Sequence, residues 1–242
     1  METLLDLLRA SRCTVVFSGA GVSTLSGLPD FRGEHGLNKR IDGNLVFDIA
    51  VFRREPAFFY THGRDLVYGL VDHEPSLVHR ECARLEQAGR VAAVVTQNID
   101  MLHQRAGSRR VIELHGSPAT HSCLDCGRSY PFAWARTQVQ AGEVPTCVEC
   151  GAVVKPDITF FGEPLPAGAF EEAWKLAAAA DLMLVLGSTL LVQPAAQIPL
   201  VTHHHGGRLV IVNRGPTPLD SLAALRLDDL TEVFTGIAAA AL

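Results

Sequence analysis

Five short, mostly apolar runs recur along the chain and are separated by segments with helical spacing. The runs cover residues 13–17, 91–96, 110–114, 181–186 and 208–213. Short apolar runs bounded by turn residues favour strands that are buried on both faces. Because these predicted strands alternate with predicted helices, the pattern predicts an α/β fold with a doubly wound parallel sheet.

The alternation is interrupted twice, at residues 34–80 and 117–156. The first interruption carries helical signals, and the second contains most of the cysteines. We therefore expect a smaller lobe to be inserted into the sheet domain. The sheet domain would consist of residues 1–33, 81–116 and 157–242, and the lobe would combine the helical 34–80 and cysteine-rich 117–156 segments.

Glycine or polar residues follow each of the five predicted strands. In open parallel sheets ligands bind beyond the carboxyl ends of the strands, so these turns should line one crevice. The turns are Gly19-Ala20-Gly21, residues 97–100, His115-Gly116, Gly187-Ser188-Thr189 and Asn213-Arg214. The first turn is similar to the phosphate-binding turn of dinucleotide-binding folds, although Thr24 replaces the third glycine of the usual motif.

Four of the six cysteines form two C-x-x-C pairs, Cys123/Cys126 and Cys147/Cys150, separated by twenty residues. This spacing is typical of a zinc ribbon, and the alternative is two redox-active pairs. Since four sulfur ligands leave no open coordination position, one structural zinc ion is expected rather than a catalytic one. The nearby His121 is expected to be a surface residue and not a ligand.

His115 is the candidate general base, because an imidazole exchanges protons near neutral pH. A histidine at a strand end can also be purely structural. Asn98 and Asp100 follow the neighbouring predicted strand, and their company favours a catalytic role for His115. Both residues could bind an amide and a ribose, or cap the helical segment that follows. Ser188 and Thr189 could likewise cap a helix or bind phosphate.

Composition narrows the classes of function. Hydrophobic residues make up 48% and charged residues 19% of the 242 residues, so the chain can bury a sizeable core. A formal net charge of −5 argues against direct nucleic-acid binding through a broad basic surface. No apolar run reaches the length of a membrane span, and the N-terminal residues do not match a secretion signal. We therefore expect a cytoplasmic protein that does not bind membranes.

Several long motifs occur in the order seen in sirtuins, the NAD-dependent protein-lysine deacylases. The motifs are SGAGVSTLSGLPDFRG, TQNIDMLHQRAG, ELHG, the paired C-x-x-C, DITFFGE, GSTLLVQPA and VIVN. They span nearly the whole chain, which thus resembles a prokaryotic sirtuin. The resemblance implies a Rossmann-like domain and a small lobe that combines a zinc ribbon with a helical module. It also implies that NAD is consumed and that acyl-lysine proteins or peptides are the partners.

The resemblance assigns roles to individual residues. His115 would be the base acting on the nicotinamide ribose, and Asn98 would position a water and that ribose. The expected NAD contacts are Ala20, Thr24, Phe31, Arg32, Gln97, Asn98, Ile99, Asp100, His115, Gly187, Ser188, Asn213 and Arg214. The segment that would pair with the substrate backbone as an added strand contains Ile158, Phe160, Gly162 and Glu163.

The implied reaction is acyl transfer to ADP-ribose. The acyl oxygen attacks the ribose carbon and displaces nicotinamide, which gives an alkylimidate. His115 then deprotonates a ribose hydroxyl, and this hydroxyl attacks the imidate carbon. Water completes the release of lysine and an O-acyl-ADP-ribose. Phe31 would shield the reactive sugar from stray water. Two alternatives are protein mono-ADP-ribosyl transfer and, in another class, a non-catalytic NAD-sensing scaffold.

The sequence also bears on the acyl group. Desuccinylating sirtuins carry a tyrosine and an arginine three residues apart. Tyr60 matches the tyrosine, but Gly63 stands three residues later and Arg64 comes one position late. One residue rotates a helical side chain by about 100°, so we expect deacetylation rather than desuccinylation. The sequence leaves the protein substrates and the oligomeric state open, and a monomer is compatible with it.

Overall fold

The computed structural model of the protein describes residues 3–29 and 43–240. The expected NAD contacts Phe31 and Arg32 lie outside the described residues. Within these ranges six strands form a parallel sheet and three form a separate antiparallel sheet. The predicted α/β class with a smaller second lobe is thereby confirmed.

The parallel sheet has the strand order of a Rossmann fold. In chain order the strands are β1 (Thr14–Ser18), β2 (Ala93–Thr96), β3 (Val111–Glu113), β4 (Gly116–Cys123), β5 (Ser129–Pro131), β6 (Val154–Ile158), β7 (Leu182–Leu186), β8 (Arg208–Val212) and β9 (Leu225–Leu227). The large sheet runs β3-β2-β1-β7-β8-β9, with every neighbouring pair parallel. Counted within the sheet, this is the order 3-2-1-4-5-6, in which ligands bind where the order reverses, here between β1 and β7.

Helices cover the sheet and build most of the second lobe. They are α1 (Leu4–Ala10), α2 (Gly21–Thr24), α3 (Gly43–Val46), α4 (Ile49–Arg54), α5 (Pro56–His62), α6 (Arg64–Tyr68), α7 (Leu77–Gln87), α8 (Leu102–Arg105), α9 (Phe132–Gln140), α10 (Ala167–Ala179), α11 (Gln197–His204) and α12 (Leu230–Ala239). Local chemistry explains several ends. Ser76 and His79 form a capping box at the start of α7, and Pro56 occupies the first turn of α5. Among the described helices, none is long and apolar enough to cross a membrane.

The two faces of the parallel sheet bury separate apolar clusters. Successive side chains of a strand point to opposite faces, so Val15 and Phe17 of β1 join one cluster and Val16 joins the other. The first cluster packs against α10 and α11. The second packs against α1, α7 and α12. Both faces of the strands are thus covered, which is why these strands are continuous apolar runs in the sequence.

The antiparallel sheet, ordered β5-β4-β6, belongs to the second lobe. The helices α3 to α6 share one hydrophobic core with α9 and with the end of β6. Phe52, Phe59 and Phe160 form its centre, with ring centroids 5.0 to 5.5 Å apart. The described helices between residues 43 and 68 and the cysteine-rich segment therefore pack together. The exact domain boundaries stay a prediction; α7 begins at Leu77 and packs on the parallel sheet.

Candidate functional site

The turns after β1 and β7 are held together by glycine contacts. A Cβ atom on Gly21 would lie 2.7 Å from the Cα of Gly187, and one on Gly19 would lie 2.8 Å from the Gly187 carbonyl oxygen. The Gly21 N–H donates to this carbonyl at 2.9 Å. Gly187 itself has φ +58°, a conformation that favours glycine. Only glycine permits so close an approach of the two turns, and this approach brings the turns after β1 and β7 together.

Polar side chains from the turn after β2 meet these glycine turns. The Gln97 Nε2 donates to Ser188 Oγ at 2.8 Å. The Asn98 Nδ2 donates to the Gly19 carbonyl oxygen and to Ser23 Oγ, each at 3.1 Å. The residues predicted to bind NAD from the turns after β1, β2 and β7 therefore lie at one edge of the sheet, across the reversal point.

Asp100 is buried, and both of its carboxylate oxygens are engaged within the protein. Ser23 Oγ donates to one oxygen at 2.6 Å, and the Leu102 N–H donates to the other at 2.9 Å. The second contact pairs the Leu102 N–H, one of the N–H groups at the start of α8 that have no partner within the helix. The capping interpretation of Asp100 is thus present in the structure, and contact with NAD stays a prediction.

His115 follows β3, and its ring is anchored to the main chain of the turn after β2. Its Nδ1 lies 2.6 Å from the Gln97 carbonyl oxygen. Because a carbonyl only accepts hydrogen bonds, Nδ1 carries the proton and Nε2 is left as the proton acceptor. Burial lowers the pKa of His115 below 6.5, and the hydrogen bond to Gln97 acts in the opposite direction. The imidazole is therefore neutral at neutral pH, as a general base requires.

The main chain at His115 is bonded to the segment expected to bind peptide. The Thr159 N–H donates to the His115 carbonyl oxygen at 2.8 Å, and Gly116 pairs with Ile158. A Cβ atom on Gly116 would lie 2.1 Å from the Asp157 carbonyl oxygen, so only glycine permits this approach. The candidate base and the predicted peptide-binding segment are thus parts of one backbone arrangement.

That segment contains both buried and exposed residues. Ile158 and Phe160 are 3% and 1% exposed and belong to the core of the second lobe. Phe161 and Gly162 are exposed. The Phe161 N–H donates to the Phe47 carbonyl oxygen at 2.7 Å, which ties the segment to the turn before α4. The side chains of Ile158 and Phe160 therefore anchor the segment in the core of the second lobe, while Gly162 is exposed to solvent.

The four paired cysteines form a compact sulfur cluster. Their Sγ atoms all lie within 4.8 Å of one another, and Cys123 and Cys150 are 3.4 Å apart. Thiolates around a tetrahedral zinc, with Zn–S bonds of about 2.3 Å, lie about 3.8 Å apart. None of the four is in a disulfide. The cluster therefore fits one structural zinc ion, as the sequence predicts.

Comparison with known proteins decides the family. A family model described as the Sir2 family matches residues 19–194. The chain belongs to the Sir2 family. An NAD-dependent protein deacetylase from Thermotoga maritima is 47% identical over 226 residues, covering 93% of this chain and 92% of that protein. NAD-dependent protein deacetylase 1 of Geobacillus kaustophilus is 48% identical over 225 residues, covering 91% and 89%.

Solved Sir2 structures share the fold over most of this chain. One, a complex of Sir2 with a p53 peptide and NAD+, has 45% identity and a TM-score of 0.89, and covers 96% of this chain and 95% of its own. Another contains a histidine-to-alanine Sir2 variant with deacetylated p53 peptide and 3′-O-acetyl-ADP-ribose; it has 45% identity and a TM-score of 0.91, with coverages of 96% and 94%.

The other predicted NAD contacts of this Sir2-family chain lie in several parts of the structure. Thr24 Oγ1 donates to the Gly21 carbonyl oxygen at 2.9 Å, within α2. Ile99 packs against the core of the second lobe. Asn213 and Arg214 follow β8, beside the turn after β7, and the Asn213 Nδ2 donates to the Gly215 carbonyl oxygen at 2.8 Å. Ala20 precedes α2.

Sequence reasoning missed a buried polar chain behind this Sir2 site. The His103 Nε2 lies 3.0 Å from Ser18 Oγ, which donates to Thr96 Oγ1 at 2.9 Å. Thr96 Oγ1 also accepts the N–H of Asn98 at 3.1 Å. Three buried side chains therefore anchor the main chain of Asn98. The motif TQNIDMLHQRAG could have indicated these residues, since Thr96 and His103 lie in it together with Asn98 and Asp100.

The prediction that His121 lies at the surface is wrong. Its side chain is 0% exposed, and its Nε2 lies 2.9 Å from the Tyr68 hydroxyl. His121 is on β4, the central strand of the antiparallel sheet, so its ring points into the second lobe. It is not part of the sulfur cluster, as expected. The sequence interpretation failed because it did not recognise β4 as a strand.

The surroundings of Tyr60 and Arg64 do not favour binding of a succinyl group. Tyr60 is 5% exposed, and its hydroxyl donates to the Val154 carbonyl oxygen. Arg64 begins α6, is half exposed, and lies 3.3 Å from the carboxylate of Asp65. The Tyr60 hydroxyl and the Arg64 guanidinium are therefore each bonded to another group of the protein and are not directed together at one acyl group.

Proposed function

We propose that this chain is an NAD-dependent protein-lysine deacetylase that yields nicotinamide, O-acetyl-ADP-ribose and deacetylated lysine. The observation that carries the proposal is the placement of His115. Its ring is held by the Gln97 carbonyl oxygen at 2.6 Å, and its own carbonyl oxygen accepts the Thr159 N–H at 2.8 Å. The base is thereby fixed between the turn after β2 and the predicted peptide segment.

NAD, when bound, supplies a ribose carbon that can be attacked and nicotinamide as a leaving group. We infer that the glycine turns hold the pyrophosphate and that Gln97, Asn98 and Ser188 hold the nicotinamide ribose side. The other residues that we expect to contact NAD are Ala20, Thr24, Phe31, Arg32, Ile99, Asp100, Gly187, Asn213 and Arg214. The hydrogen bonds from Asn98 to Gly19 and Ser23 support this inference, because they orient its amide at the edge of the crevice.

His115 performs the proton transfer in this proposal. Its Nδ1 proton is committed to Gln97, so Nε2 accepts the proton of a ribose hydroxyl. Asn98 positions the water that completes hydrolysis. The acyl-lysine peptide adds as a strand to the segment containing Ile158, Phe160, Gly162 and Glu163. The solvent-exposed Gly162 supports this, since a peptide backbone can approach it closely.

We further propose that the preferred acyl groups are acetyl and related uncharged groups. The buried Tyr60 hydroxyl, bonded to Val154, supports a site without a charged acyl pocket built from Tyr60 and Arg64. We keep the cytoplasm as the proposed location, because free cysteines able to bind zinc are typical of reducing compartments. A panel of acetyl, longer apolar and succinyl lysine peptides assayed with NAD tests the acyl preference; faster turnover of the succinyl peptide would contradict it.

The test of the activity itself uses NAD labelled in the ADP-ribose part together with an acetylated peptide. Deacetylation predicts peptide-dependent release of nicotinamide and label in O-acetyl-ADP-ribose. Label retained on protein would instead indicate mono-ADP-ribosyl transfer, and no turnover would indicate an NAD-sensing scaffold. His115→Ala should abolish deacetylation and leave NAD binding measurable. His204→Ala, at an exposed histidine in the last turn of α11, is the matched control and should retain full activity.

A further inference from the structure

A buried lysine lies beneath the segment expected to bind peptide. The Lys155 Nζ lies 2.9 Å from the Oε2 atom of Glu163, and the Lys155 side chain is only 8% exposed. It donates to the carbonyl oxygens of Ile158 and Pro156 at 2.7 and 3.2 Å. It also lies 4.3 Å from the ring centroid of Phe160, within range of a cation–π contact. Among the described residues, the hydrogen bonds, the ion pair and the cation–π contact of this ammonium group are all with the segment from 156 to 163.

The carboxylate of Glu163 makes a second contact with the same segment. Its Oε2 accepts the Phe160 N–H at 2.8 Å. The Glu163 N–H in turn donates to the Phe160 carbonyl oxygen at 3.0 Å. Between them Gly162 has φ +91°, so the chain turns sharply and returns the carboxylate over Lys155. The ion pair closes the segment into a loop whose two ends are tied to each other.

Fold stability alone does not explain this pair. Burial lowers the pKa of Lys155, while the contact with Glu163 raises it, so part of the attraction is spent on desolvation. Buried ion pairs are often matched or exceeded in stability by apolar residues of similar volume. What a fully hydrogen-bonded pair does provide is one preferred arrangement of the groups around it. Here those groups are the backbone atoms of Ile158 and Phe160.

The same backbone is in direct contact with the candidate base. Ile158, whose carbonyl oxygen accepts from Lys155, pairs with Gly116. The next residue, Thr159, donates to the His115 carbonyl oxygen. A shift of the loop closed by Lys155 and Glu163 would therefore be transmitted to His115 through one or two peptide units.

We propose that Lys155 is a positioning residue for the acyl-lysine peptide. Paired with Glu163, it holds residues 158–163 in the conformation that accepts the peptide backbone and aligns that backbone with His115. This inference rests on the proposed deacetylase function. It also changes the expected role of Glu163: its carboxylate acts on Lys155 and the Phe160 N–H, and the peptide meets the backbone of the segment.

The kinetic test uses the full chain with Lys155→Met, Glu163→Gln and the double variant. Peptide and NAD are varied separately, each with the other saturating. Lys155→Met should raise the peptide KM by about tenfold and leave the NAD KM within about twofold, because the NAD crevice is built by other turns. The double variant should resemble the more impaired single variant, since removal of both groups leaves no unpaired buried charge.

The matched control is the exposed pair on α10, in which Lys175 Nζ lies 2.6 Å from the carboxylate of Glu171 and the side chains are 72% and 68% exposed. Lys175→Met and Glu171→Gln make the same chemical changes and should leave both KM values unchanged. Glu163→Gln is nearly isosteric and guards against a fold defect in Lys155→Met. Purely multiplicative effects of the two Lys155 and Glu163 substitutions would contradict the proposed coupling.

Amide hydrogen exchange provides a readout that does not depend on activity. In the protein without peptide, Lys155→Met and Glu163→Gln should increase exchange in residues 157–163, while the strands of the parallel sheet keep their protection. Unchanged exchange in that segment, or an unchanged peptide KM in an active enzyme, would overturn the positioning role. A wild-type protein without NAD-dependent deacetylation would overturn the proposed function, and the exchange result would then show only whether Lys155 and Glu163 order residues 157–163.

Discussion

The Nδ1 atom of His115 and the carbonyl oxygen of Gln97 are 2.6 Å apart. This contact assigns the proton to Nδ1 and leaves Nε2 free to act as a base. A side-chain carboxylate in place of the carbonyl would raise the pKa of the imidazole strongly, whereas a neutral acceptor does so only modestly. Burial therefore prevails and lowers the pKa of His115.

The pH profile of kcat/KM for the acetylated peptide should report this lowered pKa. The base works only when unprotonated, so activity should fall as the pH drops, with an apparent pKa below the ordinary histidine value of 6.5. Gln97→Ala retains the main-chain carbonyl and should keep the position of this acid limb, even where its NAD affinity changes. An acid limb centred above 6.5 would contradict the assignment of His115 as the buried neutral base.

Gly116→Ala should damage both stability and activity. A Cβ atom there would lie 2.1 Å from the Asp157 carbonyl oxygen, in a residue with φ +71°. We expect a loss of roughly 3 kcal/mol or more in the free energy of unfolding, because a clash with backbone adds to the left-handed strain. The deacetylation rate, measured well below the unfolding temperature, should also fall by more than the unfolded fraction explains, because His115 is displaced from Thr159.

Gly142→Ala separates the strain from the clash. Gly142 has φ +81°, but a Cβ atom there would meet nothing within 4 Å. The substitution should lower the free energy of unfolding by only about 1 kcal/mol, because alanine disfavours the left-handed conformation, and leave kcat/KM unchanged. Urea unfolding and peptide kinetics of both variants check this. Equal losses in the two variants would show that the contact between Gly116 and Asp157 does not position the base.

The parallel sheet was readily predicted, because its strands are buried on both faces. The run 181–186 was predicted as a strand, and β7 covers Leu182–Leu186; the run 208–213 corresponds to β8, Arg208–Val212. The convergence of the strand-end turns then followed from parallel topology alone. By contrast, β9 was not predicted, because Leu225–Leu227 is a three-residue edge strand with arginine at its centre and carries no periodic signal.

Contacts made by irregular backbone were outside the reach of sequence patterns. Lys155 and Glu163 are eight residues apart, a separation of about 12 Å in a helix or about 26 Å in a strand. They meet only because Gly162 turns the chain. The burial of His121 depends on the pairing of β4 with both β5 and β6, which crosses the zinc-ribbon segment. Motifs identified the residues near the crevice, while tertiary pairing determined which of them hold one another.

Tyr130→Phe should weaken zinc binding without removing a ligand. The Tyr130 hydroxyl donates to Cys147 Sγ at 3.1 Å and accepts the Val148 N–H at 3.0 Å. Loss of a hydrogen bond to a metal ligand typically costs 10- to 100-fold in affinity, and we expect a loss of about tenfold here. Competition with a chromogenic chelator measures it. Tyr68→Phe also removes a buried hydroxyl in the second lobe, but one bonded to His121, and should keep wild-type zinc affinity.

His79 should make the stability of the protein dependent on pH. Its ring is 0% exposed, and burial lowers its pKa to about 4 from 6.5, against the opposing effect of Asp100. Between these two pKa values the unfolded chain binds more protons than the folded chain. The free energy of unfolding should therefore fall as the pH drops through this window, by up to about 3 kcal/mol from this group.

The variant His79→Gln isolates this contribution. The His79 Nδ1 accepts the Ser76 N–H at 3.1 Å in the capping box of α7, and glutamine at the same position can preserve that cap without titrating. Urea unfolding at several pH values should show a shallower acid-side loss in His79→Gln, with part of the slope retained because burial also lowers the pKa of His103. His204→Gln, at an exposed site, should keep the wild-type slope. An unchanged slope in His79→Gln would mean that His79 does not take up a proton on acid unfolding.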